Sequence, residues 1–238
     1  MQLEQLSFTI TPLFYRVYAM LTLFFTRHAE STANAAKVLA SQRAYPLSNN
    51  GKASAKLVAA DFKDNILVNR TIDRLLVSPL LRALETAEPF SLTLAVPVEQ
   101  DSRLKEQHIG RFSGMAYSEL PHQPDYEHRK DKRWEWAPAG GGESYMMIAE
   151  RVTAFFQDLE KDYASIIASS SDHKTFLCIT HGVTLRLIYG LLKNSFPDYP
   201  SWLAHNGEVW EVSFKGVGVI HEIIRHFPGD SDKFFHRA

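Results

Sequence analysis

Two apolar runs in this chain end directly on a cationic or titratable side chain. LTLFFT, residues 21–26, runs straight into Arg27 and His28; KTFLCIT, residues 174–180, runs into His181 and Gly182. A third run, DRLLVS at 73–78, ends at Ser78-Pro79, with Arg82 in the first turn of the helix expected behind it. Guanidinium forks match the oxygens of a phosphoryl group through charge-assisted hydrogen bonds. An imidazole held beside them can attack phosphorus as a covalent nucleophile. Neighbouring cations lower its pKa and keep it neutral, which nucleophilic attack requires. The same cations offset charge on the group in transfer, so this chemistry requires no metal.

That chemistry exists only if the three runs end at one place. Apolar runs of this length read as strands buried on both faces, as in a parallel sheet covered by helices. Helical stretches alternate with them. Ser31 or Thr32 caps a helix through ANAAKVLA (33–40), and Ser48 caps another whose apolar face is Ala55, Leu57, Val58 and Phe62. Pro79 fits the first turn of a helix through LLRALETAEPF (80–90), and VPVEQ (96–100) reads as a short strand. Helical spacing returns over 145–163 and 183–192, and residues 207–224 read as a closing hairpin. The alternation predicts an α/β fold, a three-layer αβα sandwich with a mostly parallel central sheet. Ligands of such sheets bind at the carboxyl ends of the strands, where all three runs deliver their polar groups. Residues 101–144 are irregular, polar and aromatic, a length that marks a functional or flexible segment.

Five motifs, in order, carry a resemblance: TRHAEST..N, SPLLRALETA, LKEQHIGRFSG, GGGES and THG. Together they resemble the histidine phosphatase superfamily, also called phosphoglycerate mutase-like, over about residues 21–215. The resemblance implies His28 as the nucleophile that becomes phosphohistidine. It implies Arg27, Arg82 and His181 as groups on the phosphoryl oxygens, and Asn34 as a further phosphate contact. Glu106 resembles the proton donor to the leaving oxygen; Glu99 and Glu119 compete with it for that role. Ala29 stands where the family usually has glycine, and a tightly packed methyl there would shift the nucleophile. Glu143, beside the glycine run, reads as a capping residue. Mutases of the family carry a longer insertion after the acid and an adjacent arginine pair. The stretch from Glu106 to Glu143 is short and Arg129 and Arg133 are not adjacent, which favours a phosphatase.

The expected activity is therefore metal-independent hydrolysis of a small phosphorylated substrate, with no cofactor. The alternatives are a phosphoglycerate mutase and, from another class, a catalytically silent phosphate-binding module. A formal net charge of -1 gives no general attraction to nucleic acid or membrane, and no apolar run nears the roughly 20 residues of a membrane span. Cys178 is the sole cysteine, which excludes an intrachain disulfide and suits a reducing compartment, so a cytoplasmic location is expected. No H-e-x-x-H spacing marks a metal site. The expected organisation is an N-terminal extension over 1–19, without signal-peptide features, and one catalytic domain over 20–238. That domain carries an excursion at about 107–142, in which residues 128–136 read either as a lid or as a solvated loop.

Overall fold

Side chains along the first strand, β1 (Leu21–Arg27), point alternately to opposite faces of a sheet, and both faces are covered. Leu21, Leu23 and Phe25 pack with Phe155 and Phe156 of α4 (Tyr145–Ser169) and with Leu187 and Ile188 of α5 (Gly182–Leu192). Phe24 faces the other way, onto Val58 and Ala59 of α2 (Asn49–Asp61) and Ala83, Ala87 and Phe90 of α3 (Leu81–Leu94). The strand β4 (Lys174–Thr180) splits likewise, with Phe176 and Cys178 on the first face and Leu177 and Ile179 on the second. Two-sided burial is why these strands read as unbroken apolar runs. Each buried Leu or Phe contributes about 1.5–3 kcal/mol.

The computed structural model describes residues 21–129, 131–169, 173–198, 200 and 202–227; the expected extension over 1–19 lies outside the described residues. With β2 (Arg74–Val77), β3 (Val98–Gln100), β5 (Val209–Phe214) and β6 (Ile224–His226), the sheet order is β3-β2-β4-β1-β5-β6. The first four run parallel, and β5 and β6 add an antiparallel edge. This is the expected α/β sandwich with a mostly parallel sheet and a closing hairpin. Among the described residues, no helix is long and apolar enough to cross a membrane.

Four local expectations are corrected. The helix expected over 33–40 is α1 (Thr32–Ala35), a single turn capped by Ser31, whose hydroxyl bonds the Asn34 backbone while Asn34 Oδ1 accepts from the Ser31 backbone. The chain then turns at Lys37, at φ 53°, and the Leu39 N–H bonds the Met115 carbonyl, so pairing with the excursion overrides the helix propensity of the alanines. Leu57 is 67% exposed. It lies about 200° around α2 from Ala55, and the buried stripe is Gly51, Ala55, Val58 and Ala59. Pro79 precedes the cap residue Leu80 and stands outside α3. Glu143 does not cap α4. The Ser144 hydroxyl accepts the Met147 N–H instead, while Glu143 pairs with Arg151 at 3.0 Å and accepts the His108 N–H at 2.8 Å. The excursion forms three short 3-10 turns, Gly110–Phe112, Tyr117–His122 and Asp131–Trp134. Its own small core is Ile109, Phe112 and Leu120, with Tyr126 and Trp136 against Phe112.

Candidate active site

Sheet register brings the three strand ends level. Arg27 lies opposite Thr180, and Val77 opposite Ile179. The ladder continues one bond past each strand, from His28 N–H to the Thr180 carbonyl (2.9 Å) and from Ser78 N–H to the Ile179 carbonyl (3.0 Å). His28, Arg82 and His181 are all buried around this point.

The two partners of His28 select its tautomer. Nδ1 lies 2.7 Å from the Ala29 carbonyl, which can only accept, so Nδ1 carries the hydrogen. Arg82 Nε, which can only donate, lies 3.2 Å from Nε2, so Nε2 presents its lone pair. Burial, then the Arg82 and Arg27 charges, hold the His28 pKa well below the ordinary histidine value. The ring is therefore neutral, with its unprotonated nitrogen turned toward a guanidinium. Asn206 fixes the backbone from the far side, its amide donating to the His28 carbonyl at 2.8 Å.

The arginines are braced by carbonyls, and among the described residues no carboxylate is hydrogen-bonded to either. Arg27 donates to Ala204 O at 2.6 Å, and Arg82 to Ser41 O at 2.7 Å and Arg43 O at 3.3 Å. Carbonyl partners carry no formal charge; the carboxylate that acts on both arginines through space is Glu106. Gly182 lies directly against the Arg27 guanidinium: a Cβ there would stand 3.4 Å from its carbon, in ordinary contact. The His181 ring lies 5.0 Å from that of His28, and its Nε2 is 2.7 Å from the Ser78 hydroxyl. Burial and then Arg82 push the His181 pKa well down too. Buried atoms Arg27 Nε and His181 Nδ1 have no hydrogen-bond partner among the described residues.

Glu106 sits at the start of α5. The backbone N–H groups of Val183 and Thr184 reach its two carboxyl oxygens at 3.3 Å each, and Gln107 N–H adds a third bond at 3.0 Å. These first-turn donors have no partner within the helix, so an acidic side chain is a natural anchor for them. Asn34 Oδ1 is held by the Ser31 hydroxyl at 2.8 Å, which leaves Nδ2 to donate. Arg27, His28, Asn34, Arg82 and Glu106 all line one cavity of about 90 Å³. His181 lies outside that lining. Glu99, by contrast, pairs with Arg74 on β2 at 2.6 Å, and Glu119 bonds the Ala116 N–H in the excursion. A larger cavity of about 420 Å³, lined by Gln42, Arg43, His108 and Arg111, contains none of these groups.

The family pattern described as "Histidine phosphatase superfamily (branch 1)" matches residues 23–223. The chain belongs to the histidine phosphatase superfamily. It is 29% identical to a glucosyl-3-phosphoglycerate phosphatase of Mycolicibacterium vanbaalenii over 75% of this chain and 77% of that one. It is 27% identical to a putative phosphoserine phosphatase of Hydrogenobacter thermophilus, over 73% and 79%. It is also 29% identical to a 2,3-bisphosphoglycerate-dependent phosphoglycerate mutase of Neisseria meningitidis, over 70% and 82%. The solved mycobacterial glucosyl-3-phosphoglycerate phosphatase complexed with VO3 has the same fold, at TM-score 0.67 and 21% identity over 85% and 96% of the two chains.

For a histidine phosphatase, the unusual residue is Ala29. It is buried against Leu47 and Ala55, its N–H bonds Thr86 Oγ1 at 3.0 Å, and its φ is not positive. The position therefore needs no glycine conformation, and the methyl fills a small apolar gap. Sequence reasoning missed Thr86, Asn206 and Tyr117. Thr86 lies one turn beyond Arg82 on the same helix face, and that spacing could have flagged it. Nothing local marks Asn206 or Tyr117, which arrive from distant parts of the chain, Tyr117 at the start of the 3-10 turn Tyr117–His122.

A pH profile checks the neutral imidazole. Because the folded-state pKa of His28 is depressed, protonation should silence it only at pH values well under the ordinary 6.5 or so. Single-turnover phosphorylation, corrected for the substrate's own ionisation, should not fall as pH drops from 7.5 to about 6. A loss centred near 6.5 would reject the depressed His28 pKa. Stability follows the same sign: His28 and His181 are buried neutral, so the melting temperature should be flat above about pH 7 and fall as acid protonates the unfolded chain preferentially.

Proposed function

We propose that this protein is a phosphomonoesterase that works through a phosphohistidine at His28, without a metal, with residues 20–238 as one catalytic domain. The observation that carries this is the His28 Nε2 lone pair, fixed by Ala29 O and facing Arg82 in a cavity shared with Arg27 and Glu106. As the substrate enters, Arg82 exchanges its bond to Nε2 for one to a phosphoryl oxygen. Arg27 and Asn34 are assigned to the other oxygens; His181, which the family resemblance also puts there, is outside the lining, with its Nε2 held by Ser78. Nε2 attacks phosphorus, the P–O ester bond breaks, and Glu106 gives its proton to the departing alkoxide. Glu106, now a carboxylate, takes a proton from water, which attacks the phosphorus of phospho-His28. The P–N bond breaks, and phosphate and neutral His28 are released. The developing charge is met by Arg27 and Arg82, both already in place, Arg82 buried and Arg27 half-buried.

A mutase must also grip the far end of a phosphoglycerate. Arg129 is paired with Glu127 at 3.1 Å, and Arg133 donates to the Glu127 carbonyl and to the Tyr126 and Tyr145 hydroxyls. Neither lines the cavity around His28, which favours the phosphatase reading. The test is hydrolysis of p-nitrophenyl phosphate with and without chelator, beside a coupled assay for interconversion of 2- and 3-phosphoglycerate. Hydrolysis should survive chelation and interconversion should be minor. Loss of hydrolysis in chelator, restored by a divalent ion, would overturn the metal-free mechanism, and efficient interconversion would reverse the order of phosphatase and mutase.

A further inference from the structure

Arg27 is held through one nitrogen. Its Nη1 donates to the Ala204 carbonyl at 2.6 Å, while Nε and Nη2, an edge that can match two phosphoryl oxygens, have no hydrogen-bond partner among the described residues. The Ala204 carbonyl belongs to a planar peptide unit whose other end is the His205 N–H, and a trans peptide points the two in opposite directions. That N–H donates to Glu208 Oε2 at 2.8 Å. Arg27 and Glu208 therefore grip opposite ends of one peptide plane. The turn that carries the plane closes from the Glu208 N–H to the His205 carbonyl at 3.1 Å, with Gly207 at φ 78°. It joins the end of β1 from the Gly207 N–H to the Arg27 carbonyl at 3.0 Å. Glu208 is itself buried, and its other oxygen accepts the Trp210 indole N–H at 2.7 Å and Arg225 Nε at 2.5 Å. Trp210 and Arg225 are cross-strand partners on β5 and β6, and the Arg225 guanidinium lies over the Trp202 ring, 4.4 Å from its centroid. Arg225 thus supplies the counter-charge that a buried carboxylate needs. All three partners of Glu208 are donors, so each of its two oxygens has to be an acceptor, as in an ionised carboxylate.

We propose that Glu208 is a positioning residue for Arg27. Through the Ala204–His205 peptide it sets the direction of the carbonyl that holds Nη1, and with it the direction of the Nε–Nη2 edge. The inference rests on the phosphomonoesterase reading for what that edge binds, and deepens it. Glu208 does not line the cavity around His28, and in the proposed reaction it touches neither the substrate nor the reacting atoms. It acts by geometry and by polarisation. Hydrogen bonds in a chain strengthen one another, so a carboxylate on the N–H end makes the carbonyl end a better acceptor for a guanidinium. Glu208→Gln keeps the size of the side chain but turns one oxygen into an NH2 group. With the remaining oxygen drawn to Arg225 and Trp210, that NH2 meets the His205 N–H, donor against donor, and the peptide plane rotates away.

The experiment titrates inorganic phosphate calorimetrically into the whole protein, well below each variant's melting temperature. Glu208→Gln should bind phosphate at least about fivefold more weakly than wild type, and single-turnover phosphorylation by an alkyl phosphate should slow by about tenfold or more. In an Arg27→Met background the same substitution should change phosphate affinity by less than about twofold, because the group through which Glu208 acts is gone. Arg225 gives a second route that leaves Glu208 in place. Without that cation the buried carboxylate has to take up a proton or move to water, and either weakens its bond to the His205 N–H. Arg225→Met should therefore reproduce the loss of phosphate affinity, and Arg225→Lys should restore most of it. Wild-type phosphate affinity in folded Glu208→Gln and Arg225→Met proteins, with only the melting temperature lowered, would reduce Glu208 to a stabilising role and overturn the inference. An equal loss with and without Arg27 would overturn it too. Binding is read without turnover. If no ester is hydrolysed yet the affinity pattern holds, the phosphomonoesterase reading fails and the positioning role stands; if esters are hydrolysed and the pattern is absent, only the positioning role falls.

Discussion

Replacing His28 with alanine is expected to lower turnover on the order of 10⁴-fold or more, because no other side chain in the cavity offers an unprotonated nitrogen. The competing imidazole, His181, has its Nε2 engaged by Ser78 and does not line the cavity. The fold should survive. Both backbone bonds at position 28, to the Thr180 carbonyl and from the Asn206 amide, are independent of the side chain. Circular dichroism and a cooperative melt near the wild-type temperature would establish this. In wild type, rapid quench should trap a phosphoryl adduct that is acid-labile and base-stable, as expected of a P–N bond, and peptide mass spectrometry should place it on His28. Phosphate found on another residue would refute the nucleophile assignment. So would the absence of an adduct combined with an active His28→Ala protein.

The strands and the convergence of their ends were legible because both follow from one pattern. Runs such as LTLFFT must be covered on both faces, and two-sided burial admits few architectures besides a helix-covered parallel sheet. Once β1, β2 and β4 are parallel neighbours, their carboxyl ends share an edge, so Arg27, His28, Ser78 and His181 meet without further information. What stayed hidden depends on long-range pairing. The alanines after Asn34 favour helix, and only the bond from Leu39 to the Met115 carbonyl shows why the helix stops at Ala35. Asn206 and Tyr117 lie 178 and 89 residues from His28 along the chain, in stretches with no periodicity to place them. Glu143 was misassigned because its position before a helix suggests a cap, while Arg151, two turns into α4, takes it as an ion-pair partner.

Glu106→Gln is expected to separate acid catalysis from positioning. The amide keeps the size of the side chain and can still accept hydrogen bonds from the Val183, Thr184 and Gln107 N–H groups, but it has no proton to transfer. A general acid matters in proportion to how poorly the leaving oxygen bears negative charge. An alkoxide needs the proton; a nitrophenolate leaves nearly unaided. If Glu106 is the donor, the change should cost roughly 10²-fold or more on an alkyl phosphate and much less on p-nitrophenyl phosphate. A glutamate that only anchors the start of α5 would slow both substrates by one common factor, so equal losses reject the assignment. Glu99 and Glu119 are poor replacements, one tied to Arg74 and the other to the Ala116 N–H, and neither lines the cavity. The phosphorylation step must be isolated by single turnover. In the proposed mechanism both substrates pass through the same phospho-His28, and if its hydrolysis limits steady-state turnover, the two losses converge whatever Glu106 does in the first step.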